Sequence, residues 1–110
     1  MKEREYLEGL YDTYKNLLTD REREYFENYF YEDYNLQEIA DNYEVSKSYV
    51  GKYVNGIESK LKKFEEALGV FDKFNKIKAI TKYMDDVATR IKIEEIIEKS
   101  YNYFVNGVKL

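Results

Sequence analysis

The sequence predicts an all-α fold, a helix-turn-helix bundle with additional C-terminal helices. Three observations support this prediction. The 110 residues include no proline and only five glycines, which favours long helices over a turn-rich β fold. Hydrophobic residues, 44% of the chain beside 36% charged residues, recur at helical spacing and are numerous enough for a packed core. We expect one domain over residues 1–110, with a helix-turn-helix module at about 19–68 and C-terminal helices at about 70–106.

The first two helices are predicted from apolar spacing and a capping signal between them. Thr19 and Glu22 form a capping box, in which the hydroxyl and the carboxylate each accept a backbone N–H. This signal separates a first amphipathic helix from a second one that carries Phe26, Tyr29 and Phe30. The residues of the first helical stripe are Leu7, Leu10, Tyr11, Tyr14, Leu17 and Leu18.

The third and fourth helices have the pattern of a helix-turn-helix. Asn35 and Glu38 indicate the start of a short third helix, and Ser46 is the natural N-cap of the fourth. Glu44 occupies the turn position that usually requires a positive φ and glycine. The apolar and small positions of the motif are filled by Ile39, Ala40, Tyr43, Val45, Val50 and Tyr53.

The fourth helix continues in a heptad-like seam about three repeats long. Its short length favours packing within the molecule over a free coiled coil. Gly69 is predicted to end the helix in a left-handed conformation. The seam consists of Val50, Val54, Ile57, Leu61, Phe64, Leu68 and Phe71.

The C-terminal region is predicted to form further helices with a break near residues 88–92. A stripe before the break consists of Phe71, Phe74, Ile77, Ile80, Met84, Val87 and Ile91. A last helix, ending near Asn106 and Gly107, carries Ile93, Ile96, Ile97, Tyr101, Phe104 and Val105.

The composition argues against catalysis, metal binding and membrane insertion. The chain has no cysteine and no histidine, which removes thiol chemistry, the usual zinc ligands and the commonest general base. Its paired acids are sequence neighbours and point in different directions on a helix, so no carboxylate dyad is expected. The sequence has neither a long apolar run nor the apolar core of a signal peptide. We expect a non-enzymatic cytoplasmic protein without a cofactor.

Residues 10–74 resemble the YlxM family of small bacterial proteins. The resemblance rests on LYDTYKNLLT at residues 10–19, YFENYF at 25–30, NLQEIA at 35–40, VSKSYV at 45–50 and LGVFDKF at 68–74. It implies an all-α fold like region 4 of sigma factors and a DNA-binding regulatory role without catalysis. It also implies a role alongside the signal recognition particle, with the particle's protein or RNA as a possible partner.

Carried onto this chain, the resemblance places the recognition helix from Ser46 onward. Its N-terminal end normally enters the major groove. Lysine there can contact guanine or phosphate, and asparagine can pair with adenine. Arg21 and Arg23, in the preceding helix, are candidate contacts to the DNA backbone. The candidate nucleic-acid-binding residues are Lys47, Ser48, Tyr49, Lys52 and Asn55.

Charge and glycine content oppose strong DNA binding. The net charge is −4, and residues 19–63 hold seven basic against ten acidic side chains. Gly51 and Gly56 lie inside the predicted recognition helix, each costing about 1 kcal/mol relative to alanine. Two lysines make few phosphate contacts, so a DNA reader of this kind is expected to work as a homo-oligomer, a dimer. Four acids surround the module: Glu32, Asp33, Asp41 and Glu44.

Two alternatives remain open from the sequence. One is a protein-interaction adaptor that uses the scaffold without reading DNA. The other is an RNA-binding accessory factor that stacks bases on tyrosines such as Tyr25 and Tyr29. In that case the C-terminal residues 70–110, with eight basic against six acidic side chains, would contribute lysines.

Overall fold

Six α-helices and one 3₁₀ turn make up the part of the chain that the computed structural model describes, residues 3–106. No strand occurs among these residues, so the predicted all-α fold is confirmed. The helices are α1 (Glu3–Tyr14), α2 (Asp20–Phe30), α3 (Leu36–Tyr43), α4 (Lys47–Leu68), α5 (Val70–Thr81) and α6 (Val87–Val105), and the 3₁₀ turn is Lys15–Leu17.

Side-chain caps begin α2 and α3 as predicted. The N–H of Glu22 donates to the Thr19 hydroxyl (3.1 Å), and the N–H of Thr19 donates to the Glu22 carboxylate (2.8 Å). Asn35 and Glu38 repeat this arrangement at the start of α3, at 2.8 and 3.4 Å. Each box satisfies backbone donors that a helix N-terminus leaves free.

The first helix is shorter than predicted. The stripe extended to Leu17 and Leu18, but α1 ends at Tyr14 and a 3₁₀ turn follows. Leu18 is extended so that Thr19 can act as the next N-cap, and its side chain is still buried. Leu17 is 47% exposed, so its assignment to the buried stripe of α1 was wrong.

The core lies where α4 crosses α1, α2 and α3. The first four seam residues of α4 are buried, which agrees with packing inside the molecule. Phe64 is half-buried and Leu68 is 43% exposed, so the seam leaves the core in the last turns. The buried core cluster consists of Leu7, Leu10, Tyr11, Tyr14, Leu18, Tyr25, Phe26, Phe30, Ile39, Ala40, Val50, Val54, Ile57 and Leu61.

A carboxylate joins α4 to α5. Gly69 ends α4 with φ 62°, as predicted. Glu65 then accepts the N–H groups of Phe71 (3.2 Å) and Asp72 (2.9 Å), and it also accepts the Tyr14 hydroxyl. Burial, followed by the hydrogen bond to this carboxylate, raises the pKa of Tyr14 well above its ordinary value. Glu65 therefore caps α5 and ties it to α1, a role absent from the predictions.

The predicted break between the C-terminal helices was wrong in position. The chain leaves helical structure at Lys82 and resumes it at Val87, before the expected residues 88–92. Asp86 begins α6 by accepting the N–H of Thr89 (3.1 Å) and its hydroxyl (2.9 Å). The last helix ends at Val105, close to the predicted end. Gly107 and the side chain of Phe104, also part of that prediction, lie outside the described residues.

Two glycines in helices should respond oppositely to alanine. A Cβ at Gly56 would meet no atom within 4 Å, whereas one at Gly9 would lie 2.5 Å from the ring of Phe71. We expect Gly56→Ala to raise the free energy of unfolding by about 1 kcal/mol. Gly9→Ala should lower it by about 1–3 kcal/mol because the ring must move. Urea unfolding followed by circular dichroism measures both. A Gly56→Ala variant less stable than the native protein would contradict the open environment of Gly56.

Candidate nucleic-acid interface

The turn between α3 and α4 has the geometry of a helix-turn-helix. Glu44 takes a left-handed conformation with φ 55°, at the position where the sequence predicted it. The next N–H, that of Val45, donates to the carbonyl of Ala40 (3.0 Å), which closes the end of α3. Ser46 then caps α4 by accepting the N–H of Tyr49 (3.0 Å). The predicted turn and N-cap are therefore confirmed by the structure.

The five candidate residues all lie on the exposed side of the first turns of α4. Burial of Val50 and Val54 sets the orientation of the helix, because side chains three or four residues apart share a face. Neither lysine of the candidate set forms a salt bridge with a described residue. Exposed in this way are Lys47, Ser48, Tyr49, Lys52 and Asn55.

Stacked tyrosines support one flank of this surface. The Tyr49 ring lies 5.8 Å from that of Tyr53, and Tyr53 lies 4.5 Å from Tyr25. Tyr43 stacks on the other side of Tyr25 at 4.5 Å, beneath the Arg21 guanidinium at 5.6 Å. These contacts hold Tyr49 against the protein while 44% of it remains exposed.

Tyr25 lies at the centre of the stack and has no accessible surface. Its hydroxyl forms no hydrogen bond with described protein atoms, and burial raises its pKa. A buried hydroxyl of this kind costs about 1–3 kcal/mol, which the ring contacts offset. A base therefore has no access to the Tyr25 ring in this fold, which weakens the alternative of RNA stacking on Tyr25 and Tyr29.

Arg23 has a different role from the one predicted. Its guanidinium donates to the carbonyls of Lys15 (3.0 Å) and Leu18 (2.9 Å) and also pairs with Asp20. These bonds satisfy carbonyls at the end of the 3₁₀ turn, so the group is engaged within the protein. The hypothesis that Arg23 contacts a DNA backbone was wrong for this conformation. The sequence does not reveal this because the turn itself was not predicted.

An ion pair positions α4 against α2. The Lys60 ammonium lies 3.0 and 3.2 Å from the two carboxylate oxygens of Glu22, whose side chain is only 13% exposed. Burial opposes ionisation of Glu22, but hydrogen bonds from Thr19 and Lys60 outweigh it and lower its pKa. Glu22 thus serves as the cap of one helix and the anchor of another.

The predicted ring of acids is exposed around the module, but it is not uniform. Asp33 pairs with Arg4 (3.2 Å), and Asp41 accepts the side-chain amide of Gln37 (2.8 Å). Glu32 and Glu44 form no salt bridge with a described residue. Glu44 is closest in sequence to the candidate face, where it would repel phosphate.

A cleft beside Lys47 was missed by sequence reasoning. It has a volume of about 370 Å³ and is lined by Tyr29, Asn35, Leu36, Gln37 and Lys47. It lies at the first turn of α3, where the helix dipole favours an anion. The position of Gln37 in the first helix of the motif is the signal that would have identified it.

Comparison with protein families places this geometry in a known group. A family described as "Putative helix-turn-helix protein, YlxM / p13 like" matches residues 1–101. The chain belongs to this UPF0122 family.

Several UPF0122 relatives are similar over most of their length. One from Geobacillus sp. (strain WCH70) is 40% identical over 77 residues, covering 70% of this chain and 70% of the relative. One from Geobacillus kaustophilus is 38% identical, covering 74% of each chain. One from Ureaplasma urealyticum is 36% identical over 94 residues, covering 86% of this chain and 88% of the relative. No solved structure gives a significant match.

Two other features were checked on the described residues. None of the helices between residues 3 and 106 combines the length and apolar character needed to cross a membrane. Within the same range, no three acidic side chains are grouped as a metal site.

The Glu22–Lys60 pair predicts an acid dependence of stability. The pKa of Glu22 is lower in the folded protein than in the unfolded chain, so the ionised form stabilises the fold above the unfolded value. This contribution is lost as pH falls through the lower, folded value. We expect Glu22→Gln, which keeps a capping side chain, to cost about 1 kcal/mol or less at neutral pH.

The measurement is urea unfolding of both proteins at a series of pH values. Their stabilities should converge as pH falls below the ordinary glutamate value of 4.5. A difference that stays constant over that acid range would show that the Glu22 charge does not stabilise the fold.

Proposed function

We propose that this protein is a non-enzymatic regulator that binds duplex DNA with the exposed face of α4. One observation carries the proposal: all five candidate residues lie on the solvent side of the first turns of α4, while Val50 and Val54 are buried. Membership of a helix-turn-helix family supports the same mechanism. In such proteins the N-terminal part of the second helix enters the major groove.

The exposed side chains supply two kinds of contact. Lys47 and Lys52 are free of salt bridges to described residues and can approach phosphates or guanine edges. Asn55 can donate and accept at an adenine edge, and the Ser48 hydroxyl suits either type of base. Gln37 and Lys47, which line the cleft beside α3, can hold the adjacent DNA backbone.

The affinity of one copy should be low. Two lysines release few counterions, and the exposed acids nearby oppose the approach of phosphates. A dimer doubles the number of contacts and reads two half-sites. We therefore include self-association in the proposed mechanism.

The resemblance to the YlxM family adds a biological setting. We infer a regulatory or accessory role in the signal recognition particle pathway, in the cytoplasm, with the particle's protein or RNA as a further partner. The support for this part is the resemblance, because the exposed face of α4 does not distinguish one pathway from another.

Replacing two lysines tests the proposed surface. We expect Lys47→Ala with Lys52→Ala to weaken DNA binding more than tenfold and to reduce the slope of log K against log salt by about 2. Mobility-shift titrations of a genomic fragment library at several salt concentrations measure both quantities. The library is used because no binding site is defined.

A matched control removes two lysines elsewhere. Lys15→Ala with Lys62→Ala changes the net charge equally but leaves the first turns of α4 intact. This variant should bind nearly as well as the native protein. Equal losses in both variants would indicate non-specific attraction and would eliminate the α4 face as the binding surface.

A second candidate function is a protein-interaction adaptor on the same scaffold. The observation that favours it is the charge of residues 19–63, seven basic against ten acidic side chains. An acidic surface suits a basic protein partner better than DNA.

Affinity purification from the native cell, with and without nuclease, separates the two functions. Protein partners that remain bound after nuclease treatment are expected only for the adaptor. Complexes that disappear with nuclease support nucleic-acid binding and argue against the adaptor.

A further inference from the structure

The α5–α6 hairpin exposes more large apolar side chains than the rest of the described chain. Before residue 77, three of the five exposed large apolar residues are tyrosines, which carry a polar hydroxyl. Between residues 77 and 96, Ile80, Tyr83 and Ile96 are each at least 66% exposed. Single exposed apolar residues are ordinary, but a concentration of aliphatic ones marks an interaction surface. The hairpin surface consists of Ile77, Ile80, Tyr83, Val87, Ile91 and Ile96.

The protein also has more surface than a compact monomer of its size. Its accessible area is 7638 Å², whereas a folded monomer of 13.3 kDa exposes roughly 6,500 Å². Its radius of gyration is 17.0 Å, against about 13 Å for a compact domain of this length. The excess is about 1,100 Å², larger than the roughly 800 Å² that each partner buries in a specific protein complex. A second copy would remove surface of this size from water.

The hairpin is held firmly on its inner side. Ile97 is buried, and the Tyr101 ring meets that of Phe74 at 5.1 Å. The Tyr101 hydroxyl also lies 3.0 Å from that of Thr13 in α1. The two helices therefore pack on each other and on α1, and α5 also meets α4. The hairpin surface is a fixed part of the fold and lies on different helices from the candidate DNA face.

Charge along the hairpin matches a second copy in reversed orientation. Residues 73–92, around the turn, hold six basic against two acidic side chains. Residues 93–106 hold three acidic against one basic side chain. Lys82, Lys92, Glu95 and Glu98 are exposed and form no salt bridge with a described residue. Two hairpins in opposite directions would place the basic end of each beside the acidic half of the other.

We propose that the hairpin surface is a symmetric, antiparallel interface between two copies of this chain. A two-fold axis makes the same surface serve on both copies, so apolar side chains and opposite charges meet twice. The interface leaves the α4 face of each copy open. Its consequence for half-site spacing rests on the proposed function, but the association itself is measured without nucleic acid.

Sedimentation equilibrium of the full chain tests the interface. We expect a native dimer, and an increase of at least about 100-fold in its dissociation constant for Ile80→Glu with Ile91→Glu, because the interface would bury unpaired like charges. Leu17→Glu, which changes an apolar residue of similar exposure outside the hairpin, should remain a dimer. Circular dichroism confirms folding, and Ile96→Glu provides a second variant at a site that is 66% exposed.

The orientation is measurable because the chain has no cysteine. A spin label at Ile91→Cys should give one intermolecular distance, shorter than that from Ser59→Cys on α4. A native protein that stays monomeric would overturn the proposal and leave the hairpin to another protein or a lipid surface. A dimer unaffected by both glutamate variants would also overturn it. Loss of DNA binding with the dimer intact would contradict only the proposed function.

Discussion

Burial of one side of α4 is the constraint on which the candidate surface depends. Val50, Val54, Ile57 and Leu61 are each at most 3% exposed, and each contributes roughly 1.5–3 kcal/mol by burial. Gly51 and Gly56 together cost about 2 kcal/mol of helix stability, so packing outweighs their unfavourable propensity. The register set by these four side chains determines which residues of α4 face solvent. Any change that rotated α4 would remove the candidate surface before it altered a single candidate residue.

The local parts of this fold were predictable, because their causes lie within four residues of each other. The capping boxes at Thr19 and Asn35, the Ser46 cap and the left-handed Glu44 each follow from short-range hydrogen bonding or backbone sterics. The exposed face of α4 was also predictable, since helical geometry alone separates it from the buried seam. These features were enough to identify the motif and to place its candidate residues.

The missed features depend on partners distant in sequence or on the absence of a pattern. Glu65 caps α5 only because α5 folds back beside the end of α4, and Tyr14 reaches the same carboxylate from another helix. The break before Val87 was misplaced because apolar spacing continues through the turn, while the Asp86 cap is a weaker signal than a capping box. Arg23 was assigned to DNA because its carbonyl partners exist only once α1 has ended early. Tertiary context decides each of these cases.

Glu44 shows why the α4 surface is not optimised for tight binding of DNA. A left-handed glutamate costs roughly 1 kcal/mol relative to glycine, and its charge lies at the turn that leads into the proposed reading helix. Glycine there would relieve the strain and remove the repulsion of phosphate together. With two unpaired lysines opposed by such acids, the electrostatic part of binding by one copy is small. Specific binding then depends on joining two faces, because a shared interface makes the second contact intramolecular and raises its effective concentration. The hairpin lies on separate helices from α4, so it can supply this coupling without occupying the surface that reads DNA.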